Sequence, residues 1–394
     1  MTIIKEIINK VFDGQEGEPG NRIMPFSVFN TLSDNTRLPF FGDSVNIQRY
    51  DIVAWPFVQK WYDKGLSQFW RPEETDITKD KADYESLEPH EQHIYISNLK
   101  RQTMLDSIQG AAPFEAFAAF TSTPEMQFAI LEWTRQEAIH SLSYTHILRN
   151  TVNDPGIVFD HVLDVAEIVD CARDISKYYD DMIRFSGMRM AGLYTEDMVM
   201  DAKRAFWRSL FAANALEGVR FYVSFACSWA FPQFLNGKME GNAKIIRLIA
   251  RDEQDHLMLT QTLINRLPKM DPDFEIIREE LRAEMTQMFV DVGNQEKDWA
   301  KYLFKDGAML GLNYEGACEF VDWLLTHRMA VIGHPYPGKA VKDNPWNFIN
   351  DWLNNNETQY ALQEAEAADY LTGIMTGSVT DGLVDRRKQL TNKV

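Results

Sequence analysis

Residues 123–156 read "TPEMQFAILEWTRQEAIHSLSYTHILRNTVNDPG", and this stretch decides the fold. Thr123 is an N-cap residue, Pro124 suits the first helical position, and "NDPG" (153–156) is a stop signal. Between them lies a helix of roughly 30 residues, about 45 Å long at 1.5 Å per residue. At 100° per residue, Glu137, His140 and Tyr144 fall within about 60° of one another. The same stripe carries Met126, Ile130 and Trp133 upstream and Leu148 downstream, so it faces inward. The opposite side, with Phe128, Leu131 and Leu142, is apolar too, which predicts a helix buried on two faces. A buried carboxylate without a partner costs several kcal/mol. Something in the interior must satisfy Glu137.

The chain around this helix is long enough for a large core: 394 residues, 45% of them hydrophobic. Its formal charge of −18 leaves no basic surplus for phosphates and excludes nucleic acid as a partner. Three cysteines (Cys171, Cys227, Cys318) with no CxxC spacing indicate a reducing cytosol. No signal peptide is recognisable, and no apolar run reaches the 18 residues of a membrane span. Helical periodicity dominates from about Tyr50, with further long segments at about 88–110, 197–230 and 241–266. The expected organisation is an N-terminal arm (1–48), an all-α, ferritin-like helical bundle (49–350) and a C-terminal tail (351–394).

A second ExxH lies in "IARDEQDHLM" (249–258), where Glu253 and His256 interrupt the apolar stripe Ile246, Ile249, Thr260, Ile264. With 58 acids and eight histidines in the chain, about one acid–x–x–His spacing is expected by chance. The informative feature is that both pairs sit mid-helix and face inward, where a lone acid–His pair is poorly tolerated. Two more carboxylates occupy similar stripes: Asp106 after Tyr95, Leu99 and Gln102, and Glu217 after Phe206, Leu210 and Ala213. The order is then a lone carboxylate, an ExxH about thirty residues on, and the same again. Helix bundles build carboxylate-bridged dimetal sites in this way. Asp106, Glu137, His140, Glu217, Glu253 and His256 are the candidate ligands, and an oxygen and imidazole donor set suits iron or manganese. Tyr144, one turn beyond His140, places a phenol within several ångströms of such metals. Leu99, Phe221, Phe225, Ile246 and Ile249 fall on faces suited to wall it off.

These residues resemble the small (beta) subunit of class I ribonucleotide reductase, over about residues 45–370. The matching stretches include "FWRPEE" (69–74), "TMLDSIQG" (103–110), "EAIHSLSYTHILRN" (137–150), "NALEGVRFYVSFACS" (214–228), "EGNAKIIRLIARDE" (240–253), "QEKDWA" (295–300) and "QEAEAADY" (363–370). The resemblance implies two irons per chain, with manganese an alternative, and O2 as the oxidant. It makes Tyr144 the stable radical, and it implies a homodimer whose partner is a large (alpha) subunit that reduces ribonucleoside diphosphates. It also implies a relay of Trp70, Asp252 and Tyr370, with Asp252 orienting His140. The first forty residues find no counterpart, and the end "DRRKQLTNKV" (385–394) is basic where relatives end acidic. Residues 351–370 carry five acids and no base, and the 24 that follow carry four bases against two acids. Such a tail is expected to be mobile alone and to fold on the large subunit. A self-contained diiron oxidase and a ferritin-type storage protein are the alternative readings. The encoding genome is open, a bacteriophage included.

Overall fold

The structure is a computed structural model and describes residues 37–43, 45 and 48–353. Chain contacts divide it after Ile349, and the helices that build the site all precede that point. Tyr370, most of the expected tail and residues 1–36 of the expected arm lie outside the described residues.

The long helices are α1 (Pro56–Ser67), α2 (Pro89–Gln109), α3 (Pro124–Thr151), α4 (Ala166–Met190), α5 (Val199–Ala215), α6 (Tyr222–Phe234), α7 (Glu240–Met270), α8 (Arg282–Leu303) and α9 (Tyr314–Val331). Among the described residues there are only isolated β-bridges, Phe40 with Thr121 and Met309 with Leu312. No described helix is long and apolar enough to cross a membrane.

Local chemistry sets the boundaries. Thr123 accepts a hydrogen bond from the Met126 amide at 3.4 Å and opens α3 with Pro124. Glu88 and Glu91 form a reciprocal capping box ahead of α2. The start of α7 is capped from a distance. Asp80 accepts from the Gly241 and Asn242 amides, at 3.1 and 2.6 Å. Gly241 is required there, because a Cβ would stand 2.7 Å from the Asp76 carbonyl oxygen. Burial raises the Asp80 carboxyl to about 6 against those two amides, which pull the other way.

The expected helix at 197–230 is interrupted. Between α5 and α6, Leu216–Arg220 form one π-helical turn, and Glu217 stands inside it. Such a turn inserts extra backbone and re-aims the side chains it carries. Gly218, beside Glu217, packs closely: a Cβ there would lie 3.0 Å from Leu257 Cδ1.

The central helix α3 packs against α1, α2 and α7, and α7 packs against α5 and α6. The expectation that α3 is buried on both faces is corrected. Its inward stripe is closed to solvent, but Leu131 and Leu142 are 47% and 63% exposed and Phe128 is partly exposed. An apolar pattern on both sides of a helix does not say whether the second side meets its own chain.

Outside the site, the described core holds a sealed ion pair between Arg101 and Glu296. Arg101 forks onto both carboxylate oxygens of Glu296 and also approaches Cys171 Sγ. Neither charged side chain is more than 1% exposed. Removing one partner strands the other charge, so Glu296→Ala is expected to cost about 3–5 kcal/mol. Chemical denaturation of the metal-free protein measures it, and a loss under about 1 kcal/mol would mean that water reaches Arg101.

Candidate metal centre

The six expected ligands converge from four places in the chain, namely α2 (Asp106), α3 (Glu137, His140), the π turn (Glu217) and α7 (Glu253, His256). All six are 0% exposed. They form two overlapping groups, Asp106–Glu137–His140–Glu253 and Glu137–Glu217–Glu253–His256, whose donor atoms lie within 4.8 Å of one another. Glu137 and Glu253 are common to both groups. Each ExxH glutamate therefore stands between two positions, and each position has one carboxylate and one imidazole of its own. The His140 and His256 ring centroids are 6.0 Å apart.

His140 turns Nδ1 toward Glu137 Oε2 and Glu253 Oε1, at 3.3 and 3.1 Å. His256 Nδ1 lies 3.2 Å from Glu137 Oε1, 3.5 Å from Glu253 Oε2 and 3.8 Å from Glu217 Oε1. Close approach is not the same as bonding. Both oxygens of Asp106, both of Glu253, Glu217 Oε2 and His256 Nδ1 are buried and have no hydrogen-bond partner of acceptable alignment. Buried carboxylate oxygens are rarely left in this state. Their inward aim is that of ligands around a cation.

The electrostatics agree. Burial drives the Asp106 carboxyl well above its ordinary range, reinforced by Glu137 and Glu253. Burial likewise raises Glu217, against the pull of His256. Glu137 falls to about 2: burial opposes this, but the neighbouring imidazoles of His140 and His256 outweigh it. Both imidazoles are held well above their usual value despite burial, His140 chiefly through Asp252 and Glu137, His256 chiefly through Glu137 and Glu253. The cluster thus favours protons on its imidazoles and on Asp106 and Glu217. Two divalent cations would replace those protons. The donor set fits a dimetal site.

Tyr144 is 0% exposed. Its hydroxyl has no aligned hydrogen-bond partner, yet burial and then the adjacent Asp106 carboxylate hold the phenol well above its normal ionisation. Leu99, Phe221, Phe225, Ile246 and Ile249 are all buried, and the two phenylalanine rings stack at 5.5 Å. On the other side, Trp70 Nε1 donates to Asp252 Oδ2 at 2.8 Å. The same oxygen lies 3.3 Å from His140 Nε2, and the Trp70 and His140 rings stack at 6.3 Å. Trp70, Asp252 and His140 therefore form one hydrogen-bonded line into the cluster.

Several supporting residues escaped the sequence reading. Gln109 donates through Nε2 to Glu217 Oε1 at 2.7 Å and accepts at Oε1 from the Tyr179 hydroxyl at 2.9 Å. Trp133 Nε1 donates to Glu137 Oε1 at 3.0 Å. Gln136 Oε1 lies 2.8 Å from His256 Nε2, and Arg251 donates twice to Asp252 Oδ1. Trp133 sits on the inward stripe, one turn before Glu137, and was open to detection. Gln136 sits off that stripe, and Gln109 continues the inward stripe of Asp106 on α2.

Bundle and cluster together define a helical dimetal-carboxylate protein. The model of the family "Ribonucleotide reductase, small chain" matches residues 51–345. The chain is 46% identical over 369 residues to a ribonucleoside-diphosphate reductase subunit beta of Haemophilus influenzae, with 90% of this chain and 97% of that one covered. It is 44% identical over 374 residues to ribonucleoside-diphosphate reductase 1 subunit beta of Escherichia coli O157:H7, with coverage of 91% and 99%. A solved ribonucleotide reductase R2 subunit from Clostridium botulinum superposes with a TM-score of 0.70 at 23% identity, covering 86% of this chain and 96% of that one. The chain belongs to the ribonucleotide reductase small chain family.

Proposed function

We propose that this chain is the radical-generating small subunit of a ribonucleoside-diphosphate reductase, and that Tyr144 carries the radical. The observation that supports this most is a fully buried phenol beside Asp106, at the edge of a cluster of four carboxylates and two imidazoles. Asp106 and His140 would hold one metal, Glu217 and His256 the other, with Glu137 and Glu253 shared. Iron is the leading metal and manganese the alternative, because the donor set suits both. Bound there, such a pair would supply, with O2, the power to oxidise Tyr144 by one electron.

The rest is done by the chain. Asp106 receives the phenolic proton, since its carboxylate is the neighbour of the Tyr144 hydroxyl. Burial keeps water and reductants from the oxidised ring. Asp252 holds His140 through Nε2 and takes the Trp70 indole N–H, so Trp70 is the exit for an electron hole on its way to Tyr370. From Tyr370 the hole passes to a large subunit, which reduces the ribonucleoside diphosphate. Added to an excess of that subunit, the metal-loaded chain should support reduction of a ribonucleoside diphosphate, and neither protein alone should. Turnover by the small chain alone would favour a self-contained oxidase.

We place the protein in the cytosol, where Cys171, Cys227 and Cys318 remain free thiols. A homodimer is the expected assembly. Leu131, Ala138 and Leu142 form an exposed apolar row on α3, the type of surface that a second copy covers. Leu142→Asp should weaken dimerisation at least about 100-fold, because a charge would be desolvated in the interface. Sedimentation velocity reads this directly, and an unchanged dimer would move the interface elsewhere.

A further inference from the structure

The duplication of the two ExxH motifs runs one residue further than the ligands. Gln136 precedes Glu137-x-x-His140 on α3, and Asp252 precedes Glu253-x-x-His256 on α7. Each of these preceding residues crosses to the imidazole of the other motif. Asp252 Oδ2 lies 3.3 Å from His140 Nε2, and Gln136 Oε1 lies 2.8 Å from His256 Nε2. Both are 1% exposed. Each helix thus supplies ligands and also braces the imidazole of its partner helix.

The braces differ in charge. Asp252 is a carboxylate whose oxygens also accept from Trp70 and Arg251. Gln136 is a neutral amide. An imidazole that offers Nδ1 to a metal must keep its proton on Nε2, so the Gln136 group facing it has to be the accepting oxygen.

We propose that Gln136 is the positioning residue of the His256 metal position. It holds His256 in the Nε2–H tautomer and aims Nδ1 at Glu137, Glu217 and Glu253. It also leaves that half of the centre without the carboxylate line that joins His140 to Trp70. This rests on the metal-centre reading above. Outer partners of ligating histidines typically contribute 10–100-fold in metal affinity.

The test titrates the full chain with Mn(II) anaerobically and follows paramagnetic resonance, with no large subunit and no turnover. The unaltered chain should take up two ions as a spin-coupled pair. Gln136→Met keeps the side chain's length and removes the oxygen. One ion should still bind tightly, the second about 10–100-fold more weakly, and at two equivalents an isolated Mn(II) signal should appear. Gln136→Glu restores an acceptor and should restore the coupled pair. Asp106→Ala should leave one ion, at the His256 position, and adding Gln136→Met should weaken that ion by the same factor. Normal affinity and a coupled spectrum in Gln136→Met would overturn the assignment. So would a Gln136→Glu variant as weak as Gln136→Met, since shape and not the acceptor would then matter. An unaltered chain that binds no pair would overturn the metal-centre reading, and this inference with it.

Discussion

Tyr144→Phe should bind two metals and consume O2 as the unaltered chain does, yet form no stable tyrosyl radical and lose essentially all support of ribonucleotide reduction. The substitution removes one oxygen that has no aligned hydrogen-bond partner. Its cost to stability should therefore stay below about 1 kcal/mol. Chemically, the loss is complete. A phenol gives up an electron and passes its proton to the neighbouring Asp106 carboxylate, whereas a phenyl ring has no proton to give. Metal analysis, paramagnetic resonance and an activity assay on one preparation separate these effects. A persistent tyrosyl signal in the variant would assign the radical to another residue, Tyr179 being one buried candidate.

Glu217→Ala should empty the His256 position while the His140 position keeps its metal. Glu217 is the carboxylate that belongs to the second group alone, whereas Asp106 plays that part in the first. Without it the second cation keeps only shared carboxylates and is under-neutralised in a low-dielectric interior. Affinity there should fall by more than the 10–100-fold typical of an outer partner. Gln109 would also lose the acceptor for its Nε2. Metal content should drop from two ions per chain toward one. Two ions retained would remove Glu217 from the ligand set.

Much of this site was legible in the sequence because helical periodicity is a local signal. Glu137 and His140 interrupt an apolar stripe, as do Glu253 and His256, and four inward polar residues demand a common neutraliser. Asp106 and Glu217 were found by the same rule. Glu217 was found although the turn that carries it is not α-helical: no pattern of residue types announces the π segment 216–220, where Gly218 packs closely on Leu257. Leu131 and Leu142 were misplaced for a related reason. Apolar periodicity marks a face that avoids water, and it is silent on whether the cover is the same chain. Gln136 and Gln109 escaped because their role is a contact across the bundle; 120 residues separate Gln136 from His256.

The central claim is that this cluster, when loaded, oxidises Tyr144. The most direct measurement is paramagnetic resonance of the chain after anaerobic loading with two equivalents of Fe(II) and exposure to O2. The account predicts a tyrosyl radical signal in the unaltered chain that is absent from Tyr144→Phe at equal iron content. A chain that holds two irons, reacts with O2 and shows no tyrosyl signal would contradict it.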